Sequence, residues 1–246
     1  MHLIPAIDLR RGRCVRLLRG DFTHETEYDA DPANLAATYR DLGAAWLHVV
    51  DLDGAEQHGP GNRGIIGQLA AQGALKMQVG GGLRDIAMVM QMLELGVARV
   101  VIGSAAVTGV EAVRGWLERF GPERVALAFD VRLDAGGTPR VATHGWQRMS
   151  ELSLWSALEN FSSTRLTHVL CTDVGRDGAL TGPNIALYRD AVQRHSHIEW
   201  QASGGIRDAR DLHALCAAGA AAAISGKALL EGLIPVEELQ PFLPNA

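Results

Sequence analysis

Gln78-Val79-Gly80-Gly81-Gly82-Leu83-Arg84-Asp85 returns further along the chain as Gln201-Ala202-Ser203-Gly204-Gly205-Ile206-Arg207-Asp208. Five of the eight positions are identical, and the separation of 123 residues is half of the 246-residue chain. A period this long is no solenoid unit. It is the size of half a domain. Other landmarks keep nearly the same spacing. Gly96 leads into Arg99–Ala105, which holds Gly103-Ser104, and Gly219 leads into Ala222–Ala228, which holds Gly226-Lys227. His48-Val49-Val50 is matched by His168-Val169-Leu170 at an offset of 120. The apolar run Leu3-Ile4-Pro5-Ala6-Ile7-Asp8 is matched by Val125-Ala126-Leu127-Ala128-Phe129-Asp130, 122 residues later. The chain reads as one domain built from two copies of a unit, approximately 1–123 and 124–246.

Short apolar runs alternate with helical patterns throughout. The strands are expected at 3–8, 46–51, 76–80, 99–103, 125–131, 168–173, 198–203 and 221–225. Helices are expected near 32–42, 62–72, 85–95, 110–119, 150–161, 185–194, 208–218 and 227–232. Ala33–Leu42 and Ile86–Leu95 show the i, i+3, i+4 spacing of helices packed on a sheet. Asp31-Pro32 and Gly182-Pro183-Asn184 are helix openings. Eight strands alternating with eight helices predict an α/β protein, a (βα)8 barrel of two (βα)4 half-barrels. A doubly wound open sheet explains the alternation but not the repeat. Two long connections, 9–31 and 132–149, follow the first and fifth strands, where barrel chemistry is placed. They are expected to close over ligand.

Composition narrows the function classes. Hydrophobic residues make up 47% of the chain, enough for a sizeable core. No apolar stretch reaches the ~18 residues of a membrane span. The start of the chain lacks a basic-then-apolar leader. Cys14, Cys171 and Cys216 lie far apart and form no CxxC, as reduced thiols in the cytoplasm do. A net charge of −5 argues against nucleic-acid binding. An anionic ligand must therefore be held by local donors.

Double-glycine strand ends followed by helix starts let backbone N–H groups approach an anion. Gly81 and Gly82 with Gly103 and Ser104 would form one phosphate nest, and Gly204 and Gly205 with Gly226 and Lys227 the second. Two nests half a turn apart imply a ligand with a phosphate at each end. Asp8 and Asp130 end strands that face each other across a barrel roughly 15 Å wide, leaving about 9–10 Å between side chains. That gap fits a sugar ring, with one carboxyl as acid and the other as base. A strand-end aspartate is otherwise a helix cap or an arginine partner; the mirrored placement favours chemistry. In the stretch Cys171–Gly178, Thr172 could hold a substrate hydroxyl or orient a carboxylate, or simply favour the strand, and Asp177-Gly178 joins the binding candidates. Arg16 and Arg19 could pair with phosphate or carboxamide, and Trp146 could stack on a heterocycle; packing explains these three equally well. His195 and His197 are near neighbours without a third metal ligand. His48 and His168 read as packed or hydrogen-bonded barrel residues.

These motifs resemble the phosphoribosylformimino-5-aminoimidazole carboxamide ribotide isomerase family of histidine biosynthesis over essentially the full chain. The match is carried by Ile4-Pro5-Ala6-Ile7-Asp8-Leu9, Gly12, Cys14-Val15-Arg16-Leu17, Gly20-Asp21, His48 through Ala55, both glycine repeats, and Thr172-Asp173 through Gly178. The resemblance implies a duplicated half-barrel and an Amadori rearrangement of a bisphosphorylated ribotide. Asp130 would be the acid that assists ring opening, Asp8 the base that takes the C2′ proton, and Thr172 the supporting threonine. No metal, nucleotide or redox cofactor is implied, and the expected form is a monomer. The sister family, the cyclase subunit of imidazole glycerol phosphate synthase, typically opens with Pro-Cys-Leu-Asp, has a lysine shortly after and needs a glutaminase partner. Here Pro5-Ala6-Ile7-Asp8 is followed by arginines and no lysine up to Asp21. A dual-substrate relative acting also on phosphoribosylanthranilate differs in loop residues.

Overall fold

The computed structural model describes residues 1–56, 61–73, 75–143, 146 and 148–245. Its strands are β1 (His2–Arg10), β2 (Arg13–Leu18), β3 (Asp21–Glu27), β4 (Trp46–Asp51), β5 (Lys76–Gly80), β6 (Arg99–Ile102), β7 (Val125–Leu133), β8 (Pro139–Thr143), β9 (Arg148–Ser153), β10 (His168–Asp173), β11 (Glu199–Ser203) and β12 (Ala222–Ser225). Eight of them, β1, β4, β5, β6, β7, β10, β11 and β12, pair in parallel, and the β7–β10 pairing closes the ring. This is a (βα)8 barrel with helices between its strands.

The register shows how the ring closes. From Asp8 the partners run through Val50, Gly80 and Val101 to Ala126. In the other direction Ile4 runs through Ile224, Ser203 and Thr172 to Asp130. The register therefore slips four residues in each half of the circuit, and the total matches the shear of eight expected for such barrels. Because side chains alternate along a strand, two cores form. Ile4, Ala6, Val101, Ala126, Leu170, Ala222 and Ile224 pack inside the ring. Leu3, Ile7, Leu47, Val49, Val79, Val100, Leu127 and Val169 point outward onto the helices.

Local chemistry sets the helix starts. Asp31 accepts from the Ala33 and Asn34 amides ahead of Pro32, opening the helix Pro32–Asp41. The aspartates that end the two repeats do the same work. Asp85 accepts from the Met88 amide and Asp208 from the Arg210 and Asp211 amides, so each double-glycine turn runs straight into a capped helix.

Two expectations need correction. The long connections are largely β-ribbon rather than loop: β2 and β3 extend β1, and β8 and β9 extend β7, each as an antiparallel hairpin. Within 132–149, residues 144, 145 and 147 lie outside the described residues. The helix expected over 150–161 begins only at Leu154. Ser150–Ser153 belong to β9, and Ser153 caps the helix by accepting from the Ser156 amide.

Candidate active site

Asp8 and Asp130 lie at the C-terminal mouth of the barrel, on its first and fifth strands. Each stands two residues beyond a lumen-facing alanine, Ala6 or Ala128, so both carboxyls turn into the ring. Their neighbours differ. Arg16, on β2 of the first hairpin, donates from Nη1 to Asp8 Oδ2 at 2.6 Å, and both side chains are largely buried. Asp130 has no ion pair among the described residues. The Trp146 indole and the hydroxyl of Thr172, its register partner on β10, are the polar groups that favour its ionised form. Burial pushes the Asp130 carboxyl up, against the pull of those two groups.

A third carboxyl completes the group. Asp177 follows β10 in a tight turn in which its amide donates to the Asp173 carbonyl. Burial raises it to about 6; Arg16 opposes the rise, and Asp8 and Asp130 add to it. The turn also holds the first hairpin in place. The Arg19 amide donates to the Asp177 carbonyl at 3.3 Å, and Lys227 Nζ donates to the Gly178 carbonyl at 3.2 Å.

The two hairpins meet over the mouth. Gly20, at the tip of the first, lies against the Trp146 ring, which leaves no room for a side chain there. Trp146 and Arg19 both have positive φ, 70° and 52°. Such backbone is uncommon for residues other than glycine and for tryptophan marks stored strain, which clusters at functional sites. The Arg19 side chain is exposed, so the structure does not bring it to the carboxyls.

The two glycine corners are built alike. Gly81 and Gly82 have φ of 103° and 74°, Gly204 and Gly205 of 98° and 89°. Only glycine adopts such angles freely, and each of these four is also pressed against backbone of the preceding loop. Gly103 faces open space, and its neighbour Ser104 starts the helix Ala105–Thr108. Gly226 instead carries the Arg16 guanidinium against its α-carbon, where any side chain would collide with it.

Below the carboxyls the barrel is plugged with polar side chains. Gln78 Nε2 donates to Gln201 Oε1 at 2.6 Å, so the first residues of the two repeats meet inside the ring. Gln78 also reaches His48 at 3.2 Å, and Arg99 reaches His168 at 2.7 Å. Burial pushes His48 down to about 3, with Arg16 adding to the fall, so its ring is neutral. The two histidines are not structural mates. The register puts Val50 beside Asp8 and Thr172 beside Asp130, so Leu170 is the counterpart of His48. The offset of 120 noted in the sequence is two residues out of step with the fold.

Residues 2–235 match the model of a family described as "Histidine biosynthesis protein". The chain belongs to that family. Among its relatives, a protein of Pseudoalteromonas atlantica is 46% identical over 236 residues, covering 96% of this chain and 97% of the relative. One of Shewanella sp. strain ANA-3 is 46% identical over 243 residues, 99% of both chains. One of Vibrio cholerae is 42% identical over 236 residues, 96% of both chains. All three are named as isomerases of an imidazole-4-carboxamide carrying two phosphoribosyl groups. None of the three is named a cyclase.

In this family member the fold gathers Asp8, Asp130, Thr172, Asp177, Gly178, Arg16 and Trp146 at one mouth, with both glycine corners beside them. Two further pairs escaped the sequence reading. Asn62 Nδ2 donates to Asp51 Oδ1 at 2.8 Å, and Asn184 Nδ2 to Asp173 Oδ2 at 2.8 Å. Their one sequence signal is a shared spacing, since Asp51 to Asp173 and Asn62 to Asn184 are both 122 residues.

Proposed function

We propose that this chain, like the relatives named as imidazole-4-carboxamide isomerases, isomerises that ribotide, and that the reaction is an aldose–ketose rearrangement with Asp130 as the proton donor and Asp8 as the base. The substrate is a ribotide with two phosphates, one in each glycine corner. Asp130 protonates the ring oxygen of the aminoaldose as the ring opens. Asp8 takes the proton from C2′. A C–H bond at C1′ replaces the one lost at C2′, the C2′ hydroxyl becomes a carbonyl, and the formula is unchanged. Proton transfers alone accomplish this Amadori rearrangement, and no cofactor is required.

The observation that carries the assignment is the contrast between two carboxyls in equivalent positions. Burial favours the protonated form of Asp130, as a donor requires, while Asp8 sits in an ion pair. Thr172 orients Asp130, Trp146 covers the substrate, and Arg16 serves the phosphate at Gly226. Arg19 would join the ligand by moving inward. The raised Asp177 favours a second reading, in which Asp177 is the donor. The equal register slip in the two halves, and the contact between Gln78 and Gln201, support an origin by duplication of a half-barrel. We place the enzyme in the cytoplasm as a monomer.

A spectroscopic assay with the formimino ribotide, run beside an ammonia-dependent cyclase assay and one with phosphoribosylanthranilate, tests this function. Turnover of the ribotide to the aminoketose is expected. Cyclase activity without isomerase activity would contradict the reading.

A further inference from the structure

Behind each double-glycine turn stands a buried aspartate that faces away from the lumen. Asp51 and Asp173 end β4 and β10 on the outward register and are 2% and 5% exposed, so neither can touch a ligand in the ring. The Asp51 carboxylate is held by nitrogen donors. Oδ1 accepts from the Gly54 amide at 3.0 Å and from Asn62 Nδ2 at 2.8 Å, and Oδ2 accepts from the Asn62 amide at 3.0 Å. Gly81 packs on the main chain of Asp51, and Gly82 on the carbonyl of Gly54. The second half repeats the plan. Asp173 Oδ1 accepts from the Gly175 amide at 3.0 Å, and Oδ2 accepts from Asn184 Nδ2 at 2.8 Å with Arg176 Nε at 3.5 Å. Gly204 packs on the Asp173 carbonyl, and Gly205 on that of Gly182, whose amide donates back to Gly205 at 2.8 Å.

A buried carboxylate is costly unless fully hydrogen-bonded, so an anion kept at both places has work to do. Here each anion fixes the strand end against which a glycine turn rests. A turn whose amides must converge on a phosphate tolerates little displacement.

We propose that Asp51–Asn62 and Asp173–Asn184 are paired positioning residues, each setting the geometry of one phosphate nest. The inference rests on the two-nest reading above. Its specific content is that each pair serves its own nest. The first pair serves Gly81, Gly82 and Gly103, and the second serves Gly204, Gly205 and Gly226. The first pair also reaches the first hairpin, because Asn62 Oδ1 accepts from the Gly12 amide at 2.9 Å.

The test is a titration of the full-length protein with inorganic phosphate, followed through the amide resonances of those six glycines. Wild type should show two sites. Asn62→Ala should weaken the first about tenfold and leave the second unchanged, and Asn184→Ala should do the reverse, as loss of a hydrogen bond to a charged group implies. In turnover, each variant should raise KM about tenfold with kcat kept within about threefold, the mark of lost uniform binding. If an alanine variant does not fold, Asn62→Gln and Asn184→Gln shift the amide by one methylene and are read the same way. Equal weakening of both sites, no change at either, or a loss confined to kcat would overturn the proposal. A wild type without two phosphate sites would instead defeat the two-nest reading, and the clamps with it.

Discussion

The two halves of the barrel place the same residue at the same point and then treat it differently. Asp8 and Asp130 both end a lumen-facing run at the mouth, 122 residues apart. Asp8 is met by Arg16 from its hairpin, and that guanidinium also lies on Gly226. Asp130 is met by an indole and a hydroxyl, and the opposite corner at Gly103 stands open. The fold supplies two equivalent carboxyls. Their roles come from what the hairpins bring to them. A symmetric scaffold thus performs an asymmetric proton transfer by changing a few side chains above the strands rather than the strands themselves.

The largest effect should come from erasing either carboxyl's proton chemistry. Asp8→Asn and Asp130→Asn should each lower kcat by at least about 10²-fold with substrate affinity largely kept, as steady-state kinetics and ligand titration would show. Near-normal turnover in either variant removes the mechanism.

Arg16→Ala should make the halves more alike. It frees Asp8 and uncovers Gly226, and the expected result is a roughly tenfold higher KM with a smaller change in kcat. An unchanged KM would mean that Arg16 does not serve the ligand.

A subtler change separates Asp130 from Asp177. A donor must be protonated, so kcat/KM should fall as pH rises through its value. The Trp146 indole favours the ionised form of Asp130, and Trp146→Phe removes that influence. The alkaline limb of the pH profile should then move to higher pH. A limb that stays near pH 6 in the variant would belong to Asp177.

The smallest effect concerns the barrel floor. His48 is held down to about 3 in the folded protein from an ordinary 6.5, so the unfolded chain binds a proton that the folded one refuses. Its contribution to stability is complete above pH 6.5 and is lost as pH falls toward 3. Denaturant unfolding of His48→Gln should show an acid-side slope shallower by up to about 1.4 kcal/mol per pH unit. An unchanged slope would mean that His48 is not the group refusing the proton.

Much of this was legible in the sequence because the barrel strands are buried on both faces and read as continuous apolar runs. All eight were located to within two residues at either end, and the repeat pointed to both glycine corners. The first hairpin was hidden by its outer strand, which is polar and mostly exposed. Asp21-Phe22-Thr23-His24-Glu25-Thr26-Glu27 has no buried face of its own and is held by partners distant in sequence, Arg10 with Glu25 and Arg13 with Glu27. One local signal was present. Arg11-Gly12 and Arg19-Gly20 are two-residue connections with positive φ at both positions, as a type I′ hairpin turn requires. The Asp–Asn pairs were hidden for a different reason. Eleven residues separate the partners, and neither helix nor strand periodicity links such positions. Loop position alone points Arg19 at the ligand, and its exposure reflects a hairpin tip that turns its backbone, not its side chain, toward Asp177.

The most direct test of the contrast between the two acids is a pH titration of the Asp130 carboxyl by carbon-13 NMR in the ligand-free enzyme, with assignment from the Asp130→Asn variant. The account predicts that Asp130 keeps its proton above the ordinary value of 3.8. A carboxyl that ionises at or below that value would contradict it, and Asp130 could not then be the donor.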